Sequence, residues 1–216
     1  MKGMERISSF IDSYIEDDEG LLNEILSEAI KNRVPVIRKA SKEFLRTQLL
    51  IKEPENILEI GTAVGYSSLY MSNYIKPNSK ITTIELDEER ANLALENIKK
   101  LGKEEVIRVI KGDACKVLKT LPDASYDFLF VDAAKGQYIN YYEEIIRAAA
   151  KNAVIISDNV LQDGEILESH YTVEKRNRTI HDRMREYLYK ITHDKRVCTS
   201  ILSIGDGMTV TIKLSD

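Results

Sequence analysis

Two short acidic stretches carry the side chains best suited to chemistry in this sequence. Val131-Asp132-Ala133-Ala134-Lys135-Gly136 supplies a carboxylate and, three residues on, an amine, while Ser157-Asp158-Asn159 supplies a second carboxylate and an amide carbonyl. This is an all-oxygen donor set, which favours Mg²⁺, Ca²⁺ or Mn²⁺ over zinc. Three protein oxygens leave positions of an octahedron for water and substrate. A cation held there can chelate two adjacent substrate oxygens and lower the pKa of a hydroxyl, which creates a nucleophile. Lys135 is near enough to act as general base if a neighbouring positive charge depresses its pKa. The plainer alternative is that Asp132 and Asp158 cap helices and Lys135 is a solvated lysine. Arrival of the two groups on successive strand ends favours the metal.

A second set of residues is suited to holding a ligand. Glu59-Ile60-Gly61-Thr62-Ala63-Val64-Gly65-Tyr66-Ser67 has GxxxG spacing, which matches neither GxGxxG nor GxxxxGK[ST]. Gly61 and Gly65 permit tight turns and close backbone approach. No lysine follows to neutralise phosphate, and Glu59 would repel it. Glu85 ends Ile84-Glu85-Leu86-Asp87, where an acidic side chain can accept both hydroxyls of a ribose. Lys111-Gly112-Asp113-Ala114 is placed to meet an adenine edge. Each feature also has an ordinary structural role, since glycines end strands and Glu85 or Asp113 can cap a helix. Their order along the chain favours an adenosyl ligand without phosphate.

The elements that must position these residues alternate from Asn56 onward. Strands are expected at Ile57–Ile60, Ile81–Ile84, Val106–Ile110, Phe128–Val131 and Ala153–Ile156. Helices are expected between them, over Ser67–Tyr74, Glu88–Leu101, Cys115–Thr120 and Gln137–Ala150. Such alternation implies a parallel sheet covered on both faces. A long polar helix is expected over Val173–Ile191, then two strands joined by a Gly205-Asp206-Gly207 hairpin turn. Before this core, apolar residues at helical spacing predict two helices, around Ile7–Ile15 and Leu21–Ala29, broken by Asp17-Asp18-Glu19-Gly20. A third is expected over Ser41–Lys52, with Ser41 as N-cap.

At 216 residues, with 43% apolar and 31% charged residues, the chain reads as one soluble globular domain. The expected division is a helical cap over residues 1–52 and an α/β core over residues 56–216. A net charge of −4 gives no global basicity that would announce nucleic acid. No apolar run is long enough to span a bilayer, and Met1–Phe10 lacks a signal-peptide apolar stretch, so the cytoplasm is expected and a membrane partner is not. Cys115 and Cys198 have no metal-ligand spacing and read as reduced thiols.

Together, Glu59-Ile-Gly-Thr-Ala-Val-Gly-Tyr-Ser67, Ile84-Glu85, Val131-Asp-Ala-Ala-Lys135, Ser157-Asp-Asn159 and Gly205-Asp-Gly207 resemble the cation-dependent O-methyltransferases, which include the catechol and caffeoyl-CoA enzymes. The resemblance covers nearly the whole chain. It implies a class I S-adenosylmethionine-dependent methyltransferase fold, a Rossmann-like sheet of seven strands, mostly parallel, with a C-terminal antiparallel hairpin and N-terminal helices. It implies S-adenosylmethionine as cofactor with Mg²⁺, Mn²⁺ or Ca²⁺ as cation, and a homodimer. By the same resemblance Asp132, Asp158 and Asn159 would be the metal ligands and Lys135 the catalytic base. Glu85 would hold the ribose, Gly61, Tyr66 and Ser67 the methionine moiety, and Asp113 and Ala114 the adenine. Asp132 would also touch the cofactor, and Ile37 would close over it. One departure is Ala150-Lys-Asn-Ala153, which stands where the family usually has a Gly-Gly turn.

Within the family, Val34-Pro-Val-Ile-Arg38, Asp132-Ala-Ala-Lys-Gly-Gln-Tyr138, Asp158-Asn-Val-Leu161 and Glu174-Lys-Arg-Asn-Arg178 are most similar to the members that convert 5-hydroxyuridine of the tRNA anticodon to 5-methoxyuridine. That base presents vicinal oxygens, as a catechol does. Lys31–Arg46 holds six basic residues against Glu43, and His170–Arg196 holds eight Lys/Arg against four Asp/Glu. Arg38, Lys175, Arg176 and Arg178 are therefore candidate RNA contacts, and Tyr138, Tyr141 and Tyr142 could stack on bases. The alternatives are a solvated helix face with internal ion pairs and tyrosines that only pack. A small-molecule catechol or hydroxycinnamoyl O-methyltransferase would share every catalytic residue. A nicotinamide oxidoreductase would require the missing GxGxxG, and a non-catalytic RNA-binding module would leave the metal site idle.

Overall fold

The computed structural model describes residues 2–215, with side chains from Arg6 onward. Met1 and Asp216, the ends of the expected single domain, lie outside the described residues. Seven strands form one sheet in the order β3-β2-β1-β4-β5-β7-β6. They are β1 (Asn56–Ile60), β2 (Lys80–Glu85), β3 (Ile107–Lys111), β4 (Tyr126–Val131), β5 (Ala149–Ser157), β6 (Val197–Leu202) and β7 (Met208–Lys213). The first five run parallel, and β7 inserts antiparallel between β5 and β6. This is the Rossmann-like arrangement with a C-terminal antiparallel hairpin that the motifs imply.

Strand alternation divides the core in two. In β1, Leu58 and Ile60 face the layer formed by α6 (Ala114–Val117), α7 (Tyr138–Ala148) and α8 (Arg178–His193). Ile57 faces the other layer, where α2 (Gly20–Lys31), α3 (Lys39–Lys52), α4 (Tyr66–Met71) and α5 (Glu88–Lys100) pack. The central strands are thus buried on both faces and read as continuous apolar runs. A further helix, α1 (Lys2–Asp12), packs against α3 and leaves Ile7, Phe10, Ile11 and Tyr14 exposed. Among the described residues no helix is long and apolar enough to cross a membrane.

The parallel register brings the chemical residues together. Ile60 pairs with Ile84 and Val131, and Val131 pairs with Ser157. The next residues along, Glu85, Gly61, Asp132 and Asp158, therefore stand in a row across the carboxyl edge of the sheet. Strand order reverses between β1 and β4, the switch point at which open α/β sheets bind ligands.

Several expected boundaries differ. The helix after the glycine loop stops at Met71 rather than Tyr74, and the one before β5 ends at Ala148 because β5 already begins at Ala149. Helix α8 starts at Arg178, not Val173. Buried Val173 and a turn closed by Asn177 N–H on the Glu174 carbonyl hold the preceding segment out of the helix. Ser41 does not cap α3: the helix begins at Lys39, and Ser41 is wholly buried inside it. Asn152, at the departure from the Gly-Gly pattern, takes the left-handed conformation itself with φ 62°, which asparagine tolerates better than most residues.

Candidate active site

A cleft of about 680 Å³ opens along the row of strand ends, a volume typical of small-molecule sites. Ile37, Gly61, Tyr66, Ser67, Glu85, Asp113, Ala114 and Asp132 all line it. Glu85 accepts backbone N–H groups through both oxygens, from Ala63 at 2.7 Å and Asp87 at 2.9 Å. The carboxylate is thereby aimed and keeps lone pairs for a diol. Asp113 faces the cleft while its Oδ1 accepts the Cys115 N–H at 2.9 Å, so it caps α6 as well. The Tyr66 hydroxyl donates to Asp18, which also receives the Lys42 ammonium at 2.9 Å. That cluster fastens the turn before α2 to the glycine loop. Tyr141 also lines the cleft, beside Asp113 and Ala114.

Contrary to the expectation that Glu59 would repel phosphate at the glycine loop, it does not line the cleft. It is fully buried on the α4 side of β1, sharing a face with Ile57. Its Oε2 accepts the hydroxyls of Ser68 and Thr83, and Thr62 from the glycine loop meets Thr83 at 2.6 Å. Burial pushes the Glu59 carboxyl up from 4.5 to about 7, against the hydrogen bonds from the serines and threonine that pull it down. The folded chain therefore holds this proton more tightly than the unfolded chain. The resulting stabilisation is present below pH 4.5 and is lost as the pH rises through about 7. Its size is on the order of 3 kcal/mol. Glu59→Gln, which cannot ionise, should flatten the fall of thermal stability between about pH 5 and 8. Parallel slopes in wild type and variant would contradict this.

At the other end of the cleft stand the oxygen donors, with Asp132 and Asn159 on its lining and Asp158 buried beside them rather than lining it. Asn159 and Asp132 touch through Asn159 Nδ2 and Asp132 Oδ1 at 2.9 Å, and Asp158 Oδ1 accepts the Asn159 N–H at 2.8 Å. Asn159 sits at φ 60°, strain of the kind that collects at functional sites. Burial, and then the neighbouring Asp132 carboxylate, push Asp158 well above the usual carboxylate range, and burial does the same to Asp132. Two like charges, Asp158 buried and Asp132 partly buried, backed by an amide are a donor set that a hard divalent cation would relieve, so the residues fit such an ion. Behind them, the Tyr138 hydroxyl donates toward the backbone carbonyls of Asp158 at 3.0 Å and Val131 at 3.2 Å.

Lys135 lines the cleft, but the neighbour that meets it is not the cation envisaged from the sequence. Its Nζ lies 3.0 Å from Oδ2 of Asp206, whose side chain is nearly fully buried. Oδ1 of the same carboxylate accepts the Asp163 N–H, and Asp163 pairs with Arg38 at 2.6 Å. The Gly205-Asp206-Gly207 turn is thus more than a hairpin connection. A Cβ at Gly207, where φ is +82°, would fall 2.2 Å from Leu161 Cγ. Only glycine lets the turn close on the segment after Asn159, where Val160 N–H bonds the Gly207 carbonyl at 3.0 Å. Ser41 joins the same site, with its hydroxyl 3.4 Å from Asp158 Oδ1.

The other candidates are placed elsewhere. Tyr138 and Tyr142 are buried packing residues, and the Tyr142 hydroxyl donates to Asp194 at 2.9 Å, so neither is placed to stack on a base. Arg38 lines the cleft, whereas Lys175, Arg176 and Arg178 do not. Arg176 pairs with Glu174 at 2.8 Å, and Arg178 donates to the carbonyls of Val173 and Tyr171. In the earlier basic run Lys39, Lys42 and Arg46 pair with Asp17, Asp18 and Glu43. Much of the local positive charge is neutralised within the chain.

Residues 12–214 match the sequence profile of the O-methyltransferase family. A caffeoyl-CoA O-methyltransferase of Stellaria longipes is 34% identical over 175 residues, covering 77% of this chain and 71% of that protein. A catechol O-methyltransferase of Niastella koreensis is 30% identical over 177 residues, covering 77% and 80%. In fold, the crystal structure of the O-methyltransferase from Bacillus cereus in complex with SAH superposes with a TM-score of 0.83 at 24% identity, over 96% of this chain and 97% of that one. The chain belongs to the S-adenosylmethionine-dependent O-methyltransferase family that includes the caffeoyl-CoA and catechol enzymes.

Proposed function

We propose that the chain methylates one of two adjacent oxygens on a small hydroxylated aromatic of the catechol or caffeoyl type, using a divalent cation, Mg²⁺ in the first instance. The observation that carries this reading is the convergence of Asp132, Asp158 and Asn159 beside Lys135 at one end of the cleft. Asp132, Asp158 and Asn159 would hold the cation through oxygen. When bound, the cation supplies Lewis acidity that makes an adjacent hydroxyl easier to deprotonate. Glu85 would grip the cofactor ribose, with Gly61, Tyr66 and Ser67 around the methionine moiety, Asp113 and Ala114 at the adenine and Ile37 closing above. Lys135 would take the acceptor proton, and Asp206 would aim it. The names of the relatives support this acceptor class.

A second reading keeps 5-hydroxyuridine of the tRNA anticodon as acceptor. Exposed Lys175, and Arg38 at the cleft, favour it. To decide, the purified chain is given S-adenosylmethionine, Mg²⁺ and either catechol and caffeoyl acceptors or tRNA carrying 5-hydroxyuridine. Higher kcat/KM on the small acceptors is expected. Methylation confined to the tRNA would select the second reading.

Asp206→Asn tests how the amine is aimed. The amide can keep the Asp163 N–H bond but is a weaker acceptor for Lys135 Nζ, so the amine that takes the proton is held less firmly and kcat should fall roughly 10- to 100-fold with the KM for S-adenosylmethionine unchanged. An unchanged kcat would remove Asp206 from the mechanism. The homodimer is part of the same proposal, with exposed Ile7, Phe10, Ile11 and Tyr14 of α1 as apolar surface for a second copy. Light scattering should give twice the chain mass, and a monomer would refute it.

A further inference from the structure

A second cluster of metal-ligating side chains lies apart from the oxygen site, where the segment before α8 folds against that helix. His170 Nδ1 is 2.9 Å from Asp182 Oδ1, and His181 Nδ1 is 3.2 Å from the same oxygen. One ligand atom from each residue lies within 4.8 Å of the others. The hydrogen bond on the far side of the His181 ring decides what the near side can do. Its Nε2 is 3.2 Å from the Glu168 backbone carbonyl, which can only accept, so the ring proton sits on Nε2. In a neutral ring His181 Nδ1 is then a bare lone pair facing a carboxylate oxygen. Two acceptors in contact, one on the His181 side chain that is 1% exposed and the other on half-exposed Asp182, call for a positive charge between them.

A proton is one such charge, and a cation coordinated by both rings and the Asp182 carboxylate is another. Donors around a tetrahedral zinc at about 2.0–2.1 Å sit roughly 3.4 Å apart, so the two contacts to Asp182 need open by only a few tenths of an ångström, with the two rings' ligand atoms within 4.8 Å of each other. An imidazole whose other nitrogen donates to a backbone carbonyl is also the usual arrangement of a metal-bound histidine. Two nitrogens and one carboxylate suit zinc or its late first-row neighbours, unlike the all-oxygen set of the cleft.

We propose that His170, His181 and Asp182 form a second, zinc-type site, with water completing the coordination. The site clamps the segment after Leu167 onto the first turns of α8. The next residue, Arg183, donates to the Gly136 carbonyl at 3.3 Å, so the clamp lies one residue from the contact that supports Lys135.

The test is zinc stoichiometry of the full chain after dialysis against Zn²⁺ and then buffer, read by elemental analysis. His170→Ala and Asp182→Asn change half-exposed residues and spare the buried ring of His181. Wild type should retain one more zinc per chain than either variant, and Asp158→Asn, altered only at the oxygen site, should keep that zinc. Co²⁺ in place of zinc should give visible bands of mixed nitrogen and oxygen coordination that both variants lose. Equal stoichiometry in wild type, His170→Ala and Asp182→Asn would overturn the proposal, as would bands that persist in both variants.

Discussion

Asp158→Asn is expected to lower methyl transfer at least about 100-fold, since loss even of outer-shell partners of a metal ligand costs 10- to 100-fold. Asp158 is buried and does not line the cleft, so affinity for S-adenosylmethionine should stay within about twofold of wild type. Stability should move the other way. Buried Asp158 and partly buried Asp132 share the site, and burial together with the neighbouring Asp132 disfavours the Asp158 charge. Neutralising one of them removes like-charge repulsion from the interior, so the variant without added cation should melt at or above wild type. Isothermal titration with Mg²⁺, titration with S-adenosylmethionine and a thermal melt separate the three effects. Wild-type activity in the variant would remove Asp158 from the metal site. Loss of activity with loss of fold would mean that Asp158 acts through structure instead.

Gly61→Ala is the other substitution with a large expected effect, and its cause is the register of the sheet. Because Ile60 pairs with Val131, the residue after Ile60 lies against the backbone of Asp132. A Cβ at Gly61 would stand 2.0 Å from the Asp132 carbonyl oxygen and 2.8 Å from its carbon, at φ +103°. Neither atom belongs to a flexible side chain, so β1 and β4 must separate at the switch point. A cost of roughly 3 kcal/mol or more follows from overpacking and backbone strain together. For a chain of this size that lowers the melting temperature by about 6–12 °C. Cofactor affinity should fall as well, because the displaced peptide lines the cleft. A melting temperature within about 2 °C of wild type would show that the strands can part cheaply.

The parallel half of the molecule was legible because its signals are local. Five short apolar runs, each ending in a glycine, acidic or polar residue, specify strands whose carboxyl ends carry the chemistry. Once Ile60, Val131 and Ser157 are in register, Gly61, Asp132 and Asp158 must be neighbours. What the sequence concealed comes from long-range contact. Nothing local in Gly205-Asp206-Gly207 tells that β7 lies beside β5, and only that insertion carries Asp206 to Lys135. Glycines flanking a lone acid at a strand junction were the one available signal. Ser41 read as a cap because its chemistry is that of a cap, while Asp158, 117 residues away, engages it instead. The basic run over residues 31–46 is similar. Its partners Asp17, Asp18 and Asp163 lie elsewhere in the chain or arrive by folding, so a count along the sequence overstates the charge offered to RNA.

The central claim is that a cation held by Asp132, Asp158 and Asn159 presents a pair of adjacent oxygens for methylation. The direct measurement is transfer of labelled methyl from S-adenosylmethionine to catechol and to phenol, each with Mg²⁺ and with chelator. Methylation of catechol that needs Mg²⁺ and ends with chelator, with phenol untouched in both, is the predicted result. Methylation of catechol that persists in chelator, or of phenol at a comparable rate, would contradict it.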